Sequence, residues 1–438
     1  MNLPIISWKY LIAKPLNTVL NVLILSLGVA MIIVLLLVSN QLEENFTKNA
    51  KGIDLVVGAK GSPLQLILCS IFHIDFPTGN INLQEARQLA ANPMVKKAIP
   101  LALGDSYQGY RIVGTNHTYP DHYSCDVAEG KLWEEDMEAT VGSEVARKLG
   151  LKIGDTFYGA HGLDQATSHV HEDHAYVVTG ILAPSQSVID NLILTNVASV
   201  WKVHEQEGIT SETSEETPTE EPAKLANTRP MMRMMAPTAN PGEPAEDPLS
   251  NFPKGSATQE ITSMLLKFKS PMGAITMPRF INKETGMQAA SPPFEMSRLI
   301  SLLGVGIDTV RGFAYLMVFI AVLSIFIALY NALKERRYDL AVMRSLGSSK
   351  ASLFKMVILE GIFITLISSL IGLALGHGVL HLMAVVFEKS DHIGLQAGIF
   401  LLDELWIIGG ALFIGFLTAL IPAMQAYRTD ISTVLAQG

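Results

Sequence analysis

The 438-residue chain contains no G-x-x-x-x-G-K-[ST] run; the nearest glycine-lysine stretch, Gly58-Ala59-Lys60-Gly61-Ser62, lacks the spacing, and is expected to lack the strand-to-helix context, that cradles a nucleotide. No ATP site of its own is therefore expected. Positive charge is also short: the formal net charge is −9 with no long basic stretch against it, which argues against nucleic acid as a partner. Only two cysteines occur, Cys69 and Cys125. Both fall in the region assigned below to the outside of the cell membrane, where a disulfide between them is chemically allowed but not required. Charged residues make up only 17% of the chain while 49% are hydrophobic, the balance of a membrane protein with its apolar residues gathered into spans.

Long apolar runs are what the chain has in quantity. Residues 1–17 mix aromatic and apolar side chains with Lys9 and Lys14, which suits a short helix in the inner membrane interface. Residues 18–40 are almost wholly apolar and long enough to cross a hydrocarbon core of about 30 Å at about 1.5 Å per residue. They lack a small-residue cleavage site, so a retained first span is expected rather than a signal peptide. The two lysines before this run, and Glu43 and Glu44 after it, put the N-terminus inside.

Residues 41–295 then lie outside. Short β-rich runs (Asp54 to Val57, Tyr110 to Val113, Tyr176 to Leu182, Leu192 to Leu194) alternate there with helical pieces (Leu83 to Ala91, Ser143 to Leu149), punctuated by glycine and proline. A mixed α+β domain is expected. Within it, residues 205–260 are dense in Glu, Thr, Pro and Ser and are expected to form a flexible insertion. Residues 296–333 form the second span, with more helix than a bilayer needs and hence an outward stalk; 354–387 form the third, 388–404 a short external loop, 405–426 the fourth, and 427–438 an inner tail. The fold class is a four-span α-helical membrane protein with a large extracytoplasmic α+β domain inserted between the first and second spans.

Between the second and third spans, residues 334–353 carry Lys334, Arg336, Arg337, Arg344, Lys350 and Lys355 against only Glu335 and Asp339. That excess of base places the segment in the cytoplasm. Inside it, Leu340, Val342, Met343 and Leu346 have rough helical spacing and Gly347 is placed to end the turn. The segment reads as a short cytoplasmic helix able to receive force from a partner below the membrane.

These residues carry a family resemblance. KERRYDLAVMRSLGSSKASLFKMVILEG (Lys334 to Gly361) resembles the cytoplasmic segment of FtsX-like permeases, the macrolide-exporter (MacB-like) and lipoprotein-releasing, type VII class of ABC transporter subunits. The matching positions are Arg336, Arg337, Asp339, Leu340, Met343, Arg344, Leu346, Gly347 and Glu360. The closing IPAMQAYRTDISTVLAQ (Ile421 to Gln437) is similar to the family's C-terminus, and Gly142 to Phe157 and Asp190 to Glu205 resemble parts of its external domain. The resemblance implies a non-enzymatic permease in a bacterial inner membrane, with both termini cytoplasmic and the large domain periplasmic. It further implies a homodimer that meets membrane lipids, two copies of a separate ATPase that binds ATP and Mg, a periplasmic adaptor or binding protein, and mechanotransmission of ATP-driven movement to the outer domain.

Three smaller constellations stand apart from that segment. Ser368, Gly372 and Gly376 form a four-residue stripe of small side chains that lets another helix approach closely, from the same chain or from a second copy. His377 and His381 share a helix face near the outer end of the third span, where ionisable groups either serve a function or reach interfacial water. His161 is followed by His169-Val170-His171-Glu172-Asp173-His174, whose density of imidazole and carboxylate suits zinc or copper. By letters this run is similar to the H-x-H-x-D-H of metallo-β-lactamase-fold hydrolases, but it leads straight into a strand and no other hydrolase pattern accompanies it. His161, His169, His171, Asp173 and His174 are the candidate metal ligands, against a solvated hairpin loop. A membrane-tethered metal-sensing module built on them is the competing reading of function.

Overall fold

The computed structural model describes residues 3–13, 15–161, 170–205, 248–256, 258–335, 337–386, 396 and 398–428. Its helices, in chain order, are α1 (Leu3–Ala13), α2 (Pro15–Ala50), α3 (Pro63–Ser70), α4 (Leu83–Ala90), α5 (Thr118–His122), α6 (Ser143–Leu149), α7 (Val197–Glu205), α8 (Pro271–Glu284), α9 (Pro292–Glu335), α10 (Arg337–Ser345), α11 (Lys350–Val386) and α12 (Leu402–Arg428). The strands are β1 (Leu55–Ala59), β2 (Ile81–Asn82), β3 (Val95–Tyr107), β4 (Tyr110–Thr115), β5 (Val127–Gly130), β6 (Glu138–Val141), β7 (Thr156–His161), β8 (Val170–Leu182), β9 (Leu192–Asn196), β10 (Glu260–Ile261), β11 (Ser263–Phe268) and β12 (Met287–Ala290). The chain divides into a helical unit, Met1–Glu44 with Ser301–Gly438, and a mixed unit, Asn45–Ile300.

In the helical unit, α2, α9, α11 and α12 are the helices among the described residues that are long and apolar enough to cross a membrane, with mean hydropathies from 2.2 to 3.0. At 44 residues α9 is about 66 Å long, roughly twice a hydrocarbon core. α11 is the central helix: 56% of its most apolar stretch is buried, against 22–39% for the others. Glycine makes that possible. A Cβ on Gly372 would lie 2.7 Å from Val29 Cβ and 2.8 Å from the Ser26 carbonyl, and one on Gly376 would lie 2.8 Å from Ile33 Cγ2, so this face of α11 packs on α2 of the same chain. On another face, a Cβ on Gly361 would lie 2.7 Å from the Ala419 Cβ of α12. Between α2 and α9, the Ser324 hydroxyl donates to Asn21 Oδ1 at 2.5 Å, satisfying a polar group buried in an otherwise apolar seam.

The mixed unit is built on a ten-stranded sheet in the order β12-β1-β11-β3-β4-β9-β6-β8-β5, with β7 bridging β3 and β8. The β4–β9 and β6–β8 pairs are parallel and the rest antiparallel. β3 turns into β4 through Gln108 and Gly109, both at positive φ (48° and 88°), the two-residue hairpin geometry that glycine favours. Around β1, β11 and β3 both faces are covered, so successive residues enter different cores. Leu55, Val57, Met264 and Leu266 pack with α4, α7 and α8, while Val56, Leu265, Ile99 and Leu101 pack with α3 and Tyr119. A third core gathers Ile112, Val141, Val145, Phe157, Tyr176 and Val203. The fold class expected from the sequence is the one observed.

Two expectations need correction. The insertion expected over 205–260 is shorter at its far end: residues 206–247 and 257 lie outside the described residues, but 248–256 and 258–260 are held against the domain. Phe252 is 3% exposed within the first core, and the backbone carbonyls of Asn251 and Gly255 accept from Asn116 Nδ2 (3.1 Å) and Gln84 Nε2 (3.2 Å). A single aromatic anchor with two side-chain clamps holds a stretch whose composition is otherwise that of a linker. The stretch Gly58 to Ser62, expected to have no strand before it and no helix after it, in fact joins β1 to α3. The Ser62 hydroxyl accepts from the Gln65 N–H at 3.4 Å because a serine before proline caps the helix, while the spacing of a phosphate loop is still lacking. Cys69 and Cys125, whose pairing the sequence left open, are both free and buried.

Two outcomes follow. Gly372→Leu forces α11 off α2, and overpacking of this kind costs about 1–3 kcal/mol; a lowered melting temperature of the purified chain in detergent checks it, with Gly378→Leu, which has open space at its Cβ, as the neutral control. In the mixed unit His122 is half-buried, its Nε2 is shut off from water, and burial, then the charges of Lys267 and Lys97, hold its pKa below the ordinary 6.5. The unfolded chain therefore takes the proton first as pH falls. The stability owed to a neutral His122 is complete above about pH 6.5 and is lost as pH drops towards its folded pKa. Melting curves of the wild type and His122→Gln are expected to converge across that window.

Candidate functional site

The candidate coupling segment is a helix-elbow-helix. α10 is amphipathic: Leu340 and Ala341 are buried, Met343 and Arg344 half-buried, and Leu346, just past its end, is 82% exposed. The backbone N–H of Ser348 donates to the Met343 carbonyl and that of Gly347 to the Arg344 carbonyl, each at 3.0 Å, with Gly347 at φ +98°. This is a Schellman cap, and it fits glycine because a side chain at that φ is strained. The next helix starts at once: Ser349 caps α11, its hydroxyl accepting from the Ser352 N–H at 3.1 Å. Only four residues, Leu346 to Ser349, separate the two helices, and the N–H groups of Leu346, Gly347 and Ser348 are all bonded back to α10.

The elbow is anchored on other helices of its unit. Ser7 of α1 donates to the Met356 carbonyl at 3.1 Å, and Trp8 meets Phe363 edge to face at 6.2 Å, so α1 lies along the first turns of α11. Lys350 Nζ stands 5.9 Å from the ring centre of Tyr427 on α12. Glu360 is 4% exposed in α11 and holds polar interactions there. Burying that carboxylate is costly unless it is held in this way, which fixes it as part of the packing of α11.

The remaining site residues are distributed as follows. Arg336 lies outside the described residues, as do the side chains of Arg337 and Asp339. Ser368, Gly372 and Gly376 all face inward, the glycines onto α2 as described. At the other end of α11, His377 Nε2 is 3.2 Å from Glu404 Oε2, both largely buried, and Glu404 Oε1 accepts from the Leu401 N–H at 3.1 Å; His381 is exposed. Gln41 of α2 clamps the backbone of Gln396 on both sides, at 2.9 and 2.8 Å. Sequence reasoning found His377 but missed Glu404 and Gln41; a carboxylate in the first turn of an apolar helix and a glutamine just past an apolar run are the signals that could have found them. His169 falls outside the described residues, as do the side chains of His161, His171 and Asp173, while His174 is half-buried. The backbone of residues 170–174 is strand from the start of β8, not loop, because β7 and β8 pair through Ala160 and Val170. Among the described residues there is no group of three or more side chains of metal-ligating type.

With this geometry in hand, comparisons place the chain among known proteins. Residues 311–431 match the FtsX-like permease C-terminal domain, and residues 18–227 match the MacB-like periplasmic core domain. A curated relative, the uncharacterized ABC transporter permease YknZ of Bacillus subtilis (strain 168), is 23% identical over 138 residues, which is 31% of this chain and 32% of the relative. The alignment thus spans about a third of the relative's length. Among solved structures, the extracellular domain of the noncanonic ABC-type transporter YknZ from Gram-positive bacteria aligns over 54% of this chain and 99% of that domain, at 10% identity and a TM-score of 0.29, too low to establish a shared fold.

A labelling experiment tests the site's exposure. Burial pushes the Cys69 and Cys125 thiols up to about 11 each, so both are protonated and shielded at neutral pH. The folded chain is expected to take up almost no maleimide, and Leu346→Cys to add a single rapidly labelled position. Fast labelling of the unsubstituted chain, or a Leu346→Cys that reacts only after denaturation, would contradict the geometry.

Proposed function

Because the chain belongs to the FtsX-like, MacB-like family of ABC transporter permeases, we propose that it works as a homodimer with two copies of a separate ATPase and passes ATP-driven movement to its mixed domain. In this reading the helical unit sits in a bacterial inner membrane, the mixed unit faces the periplasm, and substrate is handled there or in the outer leaflet for export or extraction. ATP and Mg bind the partner, whose docking surface is the α10 elbow, and a periplasmic adaptor or binding protein completes the assembly.

The observation that carries the reading is the elbow itself. Tyr338 of α10 and Leu346 of the elbow are exposed, and burying an exposed leucine contributes about 1.5–3 kcal/mol to an interface. Four connecting residues, three of them with N–H groups returned to α10, leave little slack between the docking helix and α11, so a displacement of one is a displacement of the other. For movement to be transmitted, the closed ATPase must favour one arrangement of the permease over the other.

The test is co-purification with an ABC-type ATPase carrying a phosphate loop, followed by ATP turnover in lipid nanodiscs. Leu346→Asp is expected to weaken association roughly tenfold or more, as loss of an interface anchor does. Arg344→Glu is expected to leave the fold intact while reducing permease-dependent stimulation of ATP turnover. Unchanged association and unchanged turnover in both variants would remove the coupling role from α10.

A further inference from the structure

Asp105 lies on β3 with its side chain 1% exposed, and His204, in the last turn of α7, brings Nε2 to 3.6 Å from Asp105 Oδ2. That gap is long for a hydrogen bond. It is close to the roughly 3.4 Å that two ligands, each about 2.1 Å from a tetrahedral zinc ion, keep between them. Glycines border both donor atoms: a Cβ on Gly104 would come within 3.3 Å of His204 Nε2, and one on Gly159 within 3.6 Å of Asp105 Oδ2. Two strands thus leave room where a side chain would crowd the pair.

A third polar group borders the same place. Tyr176, on β8, is fully buried and stacked on Phe157 with ring centres 5.4 Å apart, yet its hydroxyl has no hydrogen-bond partner among the described residues. Burial raises its pKa, and the charge of Asp105 raises it further, so the hydroxyl lies within electrostatic reach of the carboxylate. An orphaned buried hydroxyl within reach of a buried carboxylate marks a place that can take something polar.

We propose that Asp105 and His204 bind a divalent transition-metal ion of the zinc type, with the Tyr176 hydroxyl as a hydrogen-bond donor at its edge. The nitrogen-oxygen donor pair selects this class over magnesium or calcium, which take all-oxygen shells. Two protein ligands leave coordination positions open, so the ion exchanges, unlike one in a closed four-ligand structural site. His204 precedes the last residue of α7, and residues 206–247 follow; an occupied site therefore pins the C-terminal end of α7 to β3. The site draws its two ligands from outside the His169 to His174 run and does not depend on the transport reading.

The test uses the full-length chain in detergent, stripped with a chelator and titrated with Zn²⁺ by calorimetry. A single zinc per chain is expected for the wild type and for a triple variant with His169→Ala, His171→Ala and His174→Ala. Asp105→Asn and His204→Gln are each expected to weaken binding at least about tenfold. Metal-free melting temperatures of the latter two should match the metal-free wild type, and Co²⁺ in place of zinc should give a visible absorption band that His204→Gln abolishes. His204 is partly exposed, so its variant carries the test if Asp105→Asn does not fold. No zinc uptake by the wild type, uptake lost only in the triple variant, or equal affinity in His204→Gln and the wild type would overturn the proposal.

Discussion

The helical unit depends on how closely α11 is approached. Gly372 and Gly376 admit α2 on one side and Gly361 admits α12 on another, at distances where a single added carbon would collide with backbone or a neighbouring Cβ. Inside a bilayer the lipid tails are as apolar as the side chains, so burial alone does not drive helices together; dispersion across a tight seam does. α11 is thereby the helix least able to move alone. Whatever shifts its N-terminal half is felt by α2 and α12, and α1 joins that half through the contacts of Ser7 with Met356 and of Trp8 with Phe363.

The mixed unit solves a different problem, that of burying both faces of a sheet. Where β1, β11 and β3 run side by side, alternate residues feed separate cores, which explains why the strands read as continuous apolar runs and not as an apolar-polar alternation. Further along, the parallel β4–β9 and β6–β8 pairs require crossovers, and α6 and the third core occupy the space those crossovers enclose. Polar groups inside this unit are mostly tied to neighbours: Asp190 accepts from the backbone of Ser185 and Gln186, and Arg111 donates to the Asp75 carbonyl at 3.0 Å. Among the described residues, the hydroxyls of Tyr176 and Ser143 are exceptions.

Much of the helical unit was legible in the sequence because its signals are local. Four apolar runs, the charge asymmetry around them, the Gly347 stop and the small-residue stripe each depend on residues near one another in the chain. The partner of the stripe was not legible, since four-residue spacing says that a helix approaches but not which one. The β8 boundary was misread for the opposite reason: histidine and carboxylate look like loop, but strand pairing with β7 extends to Val170 regardless of what the following side chains prefer. Sheet order, the Phe252 anchor and the Asp105–His204 approach rest largely on contacts between residues tens to hundreds of positions apart, where periodicity carries no information.

In the proposed cycle, the decisive quantity is how much of an ATPase displacement survives the passage from α10 to α11. Reversing a 1:99 balance between two arrangements takes about 5.5 kcal/mol of differential binding. A flexible linker would absorb such a bias by sampling alternative torsions, each costing little. Leu346 to Ser349 offer few: the Schellman bonds fix the end of α10, Gly347 takes up the reversal in direction, and Ser349 fixes the start of α11. Any torsional escape must first break capping bonds worth about 1 kcal/mol each. A stiff joint at this point, on the helix that is most tightly enclosed, is what the proposed relay requires.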